Sequence, residues 1–260
     1  MASNHIRLKE RAAGSGTQPD LFLQEVAPGA GAQAAPDQES AADVRSLTEE
    51  QVLALLERRD LTTHTLEQFS QNAPAMKSRK VCLALASHPH VPRHMALRLL
   101  RQFYTFDLMR FALQPAAAAD LKRVADELLV ARLASITLGE RLTLARRASE
   151  MVAAALLLDK ESRVSHTALE NARLTEAAVV KALMRPNAAA ALVDAVCHHA
   201  KWSLRREIRV ALLRNRHTSL ARALEFARGI SSPQLRDILH TSRLPESVKS
   251  CLRKEMEGKR

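Results

Sequence analysis

Residues 47–129 align without a gap against residues 174–256, at a constant offset of 127. Leu47-Thr48-Glu49 falls on Leu174-Thr175-Glu176, Arg58 on Arg185, Ala84-Leu85 on Ala211-Leu212, His90 on His217, Ala96-Leu97 on Ala223-Leu224 and Leu108 on Leu235. A chain that repeats itself in this way predicts stacked units rather than a fold wrapped around one pocket. It also supplies an internal comparison, because each candidate residue in one copy has a counterpart position in the other.

The expected class is all-α. Of the 260 residues 47% are apolar, mostly Ala, Leu and Val, while aromatics make up 3% and there are only 7 glycines. That supply suits neither a β-sandwich nor a barrel, which need strand formers and many turns. Ala, Leu, Arg and Glu favour helix. The three cysteines, Cys82, Cys197 and Cys251, are odd in number and far apart, so no disulfide framework is implied and a reducing compartment is expected. Cys251 aligns with Val124 and reads as a small core residue. No apolar run approaches the length of a membrane span and the N-terminus lacks a signal-peptide core, so the expectation is a cytoplasmic protein with no membrane partner.

Punctuation along the chain is repetitive. "RRDLT" (58–62), "HPHVP" (88–92), "QPAAA" (114–118), "NARLT" (171–175), "RPNAA" (185–189), "NRHTS" (215–219) and "TSRLP" (241–245) look like versions of one turn. A polar residue or proline closes one helix, and Thr, Ser or Pro opens the next. Further breaks are expected around Pro74, Tyr104, Ala200 and Ser231-Ser232-Pro233. Helices of about ten residues result, too short to stand without packing on their neighbours. Thr48 with Gln51, Ser46 with Glu49, and Thr137 with Glu140 fit the capping-box spacing. Val52, Leu53, Leu55 and Leu56 form one apolar stripe, Met95, Leu99 and Leu100 part of another, and Leu204, Ile208, Ala211 and Leu212 an inward face of a third.

Residues 1–46, rich in Ala, Gly, Pro and Gln, read as a disordered tail. Residues 47–257 read as one continuous helical-repeat domain: copy one 47–129, a helical spacer 130–173, and copy two 174–256. The spacer continues the same rhythm, so no flexible linker divides the copies. The fold expected is an α-solenoid of short stacked helices with an internal tandem duplication.

The stretches "ALASHPHVPRHMALRLL", "ALENARLTEAAVVKAL" and "ALLRNRHTSLARALEF" resemble the HEAT and armadillo-like helical-repeat superfamily, in particular bacterial arrays with short units of the leucine-rich-repeat-variant type. The resemblance covers roughly 47–257. It implies architecture and a binding surface more than a specific activity. Two departures stand out: the helix-pair spacing of 30 then 26 is shorter than the roughly 40 of HEAT units, and the cysteine cluster that holds an iron–sulfur centre in some variant-repeat proteins is absent.

Candidate chemistry is sparse. His88, His90 and His94 form the densest set of metal-ligand types, but the copy at 174–256 replaces His88 by Asn215 and His94 by Ala221. A position filled by His or Asn fits turn chemistry better than an incomplete zinc set, and no metal is expected. Cys197-His198-His199 are neighbours on a helix and point about 100° apart, a poor arrangement for a nucleophile and its base. A lesion-processing enzyme of the HEAT-like DNA glycosylase kind needs aromatics and a carboxylate, and only Trp202 with Asp194 offers itself; Trp202, opposite Ala75, reads as a packing residue. Phosphate-loop, dinucleotide and zinc-protease motifs are absent, so no cofactor and no enzymatic activity are expected.

Charge is where the copies diverge. The net charge is +11; copy one carries 11 Lys/Arg against 9 Asp/Glu and copy two 15 against 7. Arg205, Arg206, Arg209, Arg214, Arg216, Arg222 and Arg228 lie off the apolar stripes there and are candidates to grip an acidic partner or a phosphate backbone. In the tail, Gln18-Pro19-Asp20-Leu21-Phe22 resembles the pentapeptide by which bacterial replication and repair proteins dock on the sliding clamp; Gln18, Leu21 and Phe22 carry the match, and Pro19 departs from the usual Leu. The expected function is a non-enzymatic scaffold with a protein partner, the alternative a basic nucleic-acid-associated accessory protein.

Overall fold

A computed structural model describes residues 46–257, and within them fifteen α-helices and one short 3₁₀ turn, with no strand. The tail peptide Gln18, Leu21 and Phe22 lies outside the described residues. The helices are α1 Glu49–Leu56, α2 Thr63–Gln71, α3 Arg79–Ser87, α4 Arg93–Gln102, α5 Thr105–Leu113, α6 Ala119–Arg132, α7 Leu138–Arg147 and α8 Glu150–Leu156. After them come α9 Ser162–Leu169, α10 Glu176–Leu183, α11 Ala190–His198, α12 Arg206–Leu213, α13 Leu220–Ala227, α14 Ser232–Thr241 and α15 Glu246–Glu257. The described residues are all-helical, with breaks at Pro74, Tyr104, Ala200 and Ser231.

Local chemistry sets the helix starts. Thr48 and Thr137 each accept a hydrogen bond from the backbone three residues on, and Gln51 and Glu140 reach back to the cap N–H, so both capping boxes form. Thr62, Ser149 and Thr175 cap α2, α8 and α10 through their hydroxyls. Helices α1 to α6 and α10 to α15 start at positions 127 apart, from Glu49 and Glu176 through to Ala119 and Glu246.

Helices this short depend on packing. The substantial helix–helix contacts run to the next helix or the next but one. In the first set α3 touches α1, α4 and α5, while α6 touches α4 and α5; in the second α12 touches α10, α13 and α14, while α15 touches α13 and α14. Between the sets α6 packs on α8, α7 on α9, and α8 on α10. One apolar core runs through the whole, including Val52, Leu85, Phe111, Leu144, Val179 and Leu212, all fully buried or nearly so. At its middle Arg141 donates to both oxygens of Asp159 at 2.7 and 2.8 Å, an ion pair with little exposure.

A recurring stitch ties the helix ends. His88, Asn171, Asn215 and Ser242 follow α3, α9, α12 and α14, and all four are buried. Each accepts the backbone N–H two residues on, from His90, Arg173, His217 and Leu244. Each also reaches back to a carbonyl at or just past the end of an earlier helix: Arg58 at 2.9 Å, Ala145 at 2.8 Å, Leu183 at 2.7 Å and Leu213 at 2.7 Å. The last carbonyls of a helix lack intrahelical partners, so one polar side chain per turn satisfies a loop and the neighbouring helix together.

Two sequence expectations are corrected. Leu204 is 70% exposed, because α12 starts only at Arg206 and the helical period does not govern a residue before the cap. Leu220, the first residue of α13, is also exposed, while that helix buries Ala223, Phe226 and Ala227. Cys251 is exposed on α15 rather than a core residue.

Candidate functional site

The candidate arginines of the second set fall into different settings. Arg205 precedes α12 and is exposed. Arg206 donates to Gln234 at 3.2 Å. Arg209 is half-buried: its Nε donates to the Ser203 carbonyl at 2.7 Å and its guanidinium sits 5.8 Å from the centre of the Phe226 ring. It straps the turn before α12 to α13. Arg222 is spoken for by Glu225 at 2.7 Å, and Arg228 is exposed at the end of α13.

Arg214 and Arg216, at the end of α12, come together with two arginines that the periodic stripes do not single out. Arg185 follows α10 and Arg243 follows α14; with Arg214, Arg216 and His217 they line one cleft of about 110 Å³. Arg243 donates its backbone N–H to the Arg214 carbonyl at 3.1 Å, which fixes the two turns side by side. Arg216 Nε donates to His217 Nε2 at 3.0 Å. Arg214 Nε is buried without a hydrogen-bond partner among the described residues. Among the described residues no carboxylate lines the cleft. The signal for Arg185 and Arg243 lay in the turns "RPNAA" and "TSRLP", each of which puts an arginine at the same edge.

A second feature is an open groove of about 940 Å³ across α6, α8 and α10. Its floor is small and apolar: Ala131, Ala154, Ala155, Ala178, Val130 and Leu158, with the exposed Met151 at its surface. Glu127, which is paired with Arg123 at 3.0 Å, also lines the groove, as do Glu150, Lys181 and Arg185. Alanine-rich walls let a partner backbone approach closely, and charges of both signs in the lining can orient it.

The other sequence candidates have defined places. His88 Nδ1 accepts from His90 N–H, so Nε2 carries the proton and donates to the Arg58 carbonyl. Cys197 is buried, and burial pushes its thiol up to about 11, which keeps it protonated at neutral pH and unlike an activated nucleophile. His198 turns back to the Asp194 carbonyl at 2.9 Å. Trp202 is buried, with its indole N–H donating to the Leu169 carbonyl at 2.9 Å and Lys201 Nζ 4.1 Å above its ring. Asp194 is exposed beside His198. Among the described residues no group of three His, Cys, Asp or Glu side chains is gathered to hold a metal, and no helix is long and apolar enough to cross a membrane.

No protein-family model, no curated protein and no solved structure matches the chain.

Proposed function

We propose that this chain is a non-enzymatic helical-repeat scaffold, an α-solenoid of the HEAT/armadillo-like kind built by tandem duplication, that holds a protein partner on its surface. The common offset of helix starts and the matching neighbour contacts of α1–α6 and α10–α15 support the duplicated-solenoid reading. The observation that carries the binding role is the α6/α8/α10 groove: about 940 Å³, apolar at its floor and with charges of both signs in its lining. An amphipathic helix fits it, its apolar face on Ala154 and Ala178, its acids toward Lys181 and Arg185, its bases toward Glu127 and Glu150.

Nucleic acid is the second reading, supported by the 15 Lys/Arg against 7 Asp/Glu of residues 174–256. One experiment separates the two. The full chain and its Met151→Lys/Ala178→Glu variant are used as bait in the native lysate, with nuclease treatment and moderate salt. A defined protein held by the parent and lost by the variant supports the scaffold. Capture that disappears with nuclease, or that the groove variant leaves intact, overturns it.

A further inference from the structure

We propose that the cleft formed by Arg185, Arg214, Arg216 and Arg243 is a binding site for a compact phosphate monoester. The inference goes beyond the scaffold reading, and the site lies at the turn edge after α10, α12 and α14 rather than on the groove floor; Arg185 alone borders both.

The first argument is electrostatic. Four guanidinium groups share one cleft of about 110 Å³ with no carboxylate among the described residues in its lining. Basic residues after a helix are favoured by the partial negative charge at its C-terminus, and three helices end here. That charge is about −0.5 per helix, about −1.5 in all, so it offsets fewer than two of the four arginines. Glu207 and Asp237 line the adjoining cleft on the other side of Arg214, but among the described residues none of the four arginines has a carboxylate within ion-pair distance. A surplus of about 2.5 positive charges remains, enough to hold the roughly −1.5 to −2 of a phosphate monoester at neutral pH.

The second argument is an unmet donor. Arg214 Nε is buried and has no hydrogen-bond partner among the described residues. Buried donors are nearly always satisfied, so this one calls for an acceptor, which an anion oxygen in the cleft would supply. Space agrees: about 110 Å³ is the room of three to four waters at about 30 Å³ each, enough for one tetrahedral oxyanion. A diester strand presents one charge per phosphate and needs a continuing track, whereas this cleft is a single compact space.

The third argument comes from the equivalent positions 127 residues earlier. Arg214, Arg216 and Arg243 correspond to Ser87, Pro89 and Ala116, and Asn187 corresponds to Asp60. Arg58, the counterpart of Arg185, is the one arginine in that earlier set, and Asp60 neutralises it through bonds of 3.2 and 2.8 Å. The same backbone positions fold with one paired arginine in one set and four unpaired ones in the other. Folding therefore does not require the cluster.

The test is calorimetric titration of the full chain at low ionic strength with O-phosphoserine, inorganic phosphate and a random duplex DNA, with matched chloride as control. O-phosphoserine binds, and Arg243→Gln and Arg216→Gln each weaken it about tenfold or more, as expected for loss of a charge-assisted bond. Arg205→Gln, outside the cleft, leaves affinity unchanged. Arg214→Gln is accepted only if its circular dichroism and melting match the parent; the two exposed arginines carry the test otherwise. Binding of inorganic phosphate without O-phosphoserine overturns the monoester assignment. No heat with O-phosphoserine up to about 10 mM, or binding that both variants leave intact, overturns the proposal. So does duplex binding that depends on these arginines while O-phosphoserine fails, since that assigns the cleft to a diester backbone.

Discussion

His88 and Asn215, 127 residues apart, make the same kind of bonds: each accepts the backbone N–H two residues on, and each reaches back to a carbonyl at or just past the end of an earlier helix, Arg58 for His88 and Leu183 for Asn215. An imidazole with its proton on Nε2 and a carboxamide both place an acceptor and a donor on one flat group. The geometry of the turn, rather than the identity of the side chain, is what the two positions share.

His88→Asn is therefore expected to cost less than about 1 kcal/mol, while His88→Leu, which strands the Arg58 carbonyl and the His90 N–H, costs about 1–3 kcal/mol. Urea unfolding of the two variants decides it. Equal losses for both would show that the ring contributes by packing alone.

The turns and helix starts were legible in the sequence because capping and stitching use a short polar vocabulary: Thr48, Thr137, Thr175, Asn171 and Asn215 each announce an end or a beginning. Side-chain direction was less legible. Leu204 fits an i, i+4 stripe on paper, yet it precedes the helix and points to solvent. The arginine cleft was only half visible. Arg214 and Arg216 sit together in the chain, but Arg185 and Arg243 arrive from turns of two other helices, and no local period predicts which turns stack.

Thiol reactivity should run opposite to an active-site reading of Cys197-His198. Burial raises the Cys197 thiol to about 11 and raises Cys82 as well, with Cys251 exposed on α15. Under native conditions at pH 8 an aromatic disulfide reagent should modify Cys251 first and Cys197 last, with Cys197 reacting fully only in denaturant. Fast labelling of Cys197 in the Cys251→Ser variant would contradict the buried placement.

Asp126 gives a pH signature. Burial raises its carboxyl above the usual range, and the hydrogen bond from Ser149 at 2.7 Å offsets part of that. A carboxyl raised on folding stabilises the protein while protonated: the contribution is complete below the unfolded value of about 3.9 and fades as pH rises through the folded one. Asp126→Asn keeps an acceptor for Ser149 without the charge. It should be more stable than the parent at pH 7, by on the order of 1 kcal/mol, and the advantage should shrink as the pH is lowered toward 4. An advantage that stays constant between pH 4 and 7 would remove the titration from the explanation.

Trp202 is the chain's one tryptophan and is 2% exposed, so its fluorescence reports on the packing before α12. Trp202→Phe retains most of the burial but leaves the Leu169 carbonyl without its indole donor, at a cost of about 1–3 kcal/mol. Trp202→Ala also opens a cavity and should cost about 3–5 kcal/mol. Thermal melts followed by circular dichroism order the three proteins; near-parent stability for Trp202→Ala would mean that the indole is not part of the core.

Arg205 and Arg209 separate a surface charge from a strap. Both belong to the basic excess of residues 174–256, yet only Arg209 bonds the Ser203 carbonyl and lies against Phe226. Arg209→Ala removes a bond made by a charged donor and the ring contact together, and should cost about 1.5–3 kcal/mol. Arg205→Ala should change stability by less than about 0.5 kcal/mol. Any acidic ligand that engages this end of α12 should therefore be weakened by Arg205→Ala without a change in melting. A loss of binding in Arg209→Ala that tracks its loss of stability belongs to the fold instead. Measuring affinity and melting on the same preparations distinguishes the two, because a contact residue moves the first alone and a strap moves both.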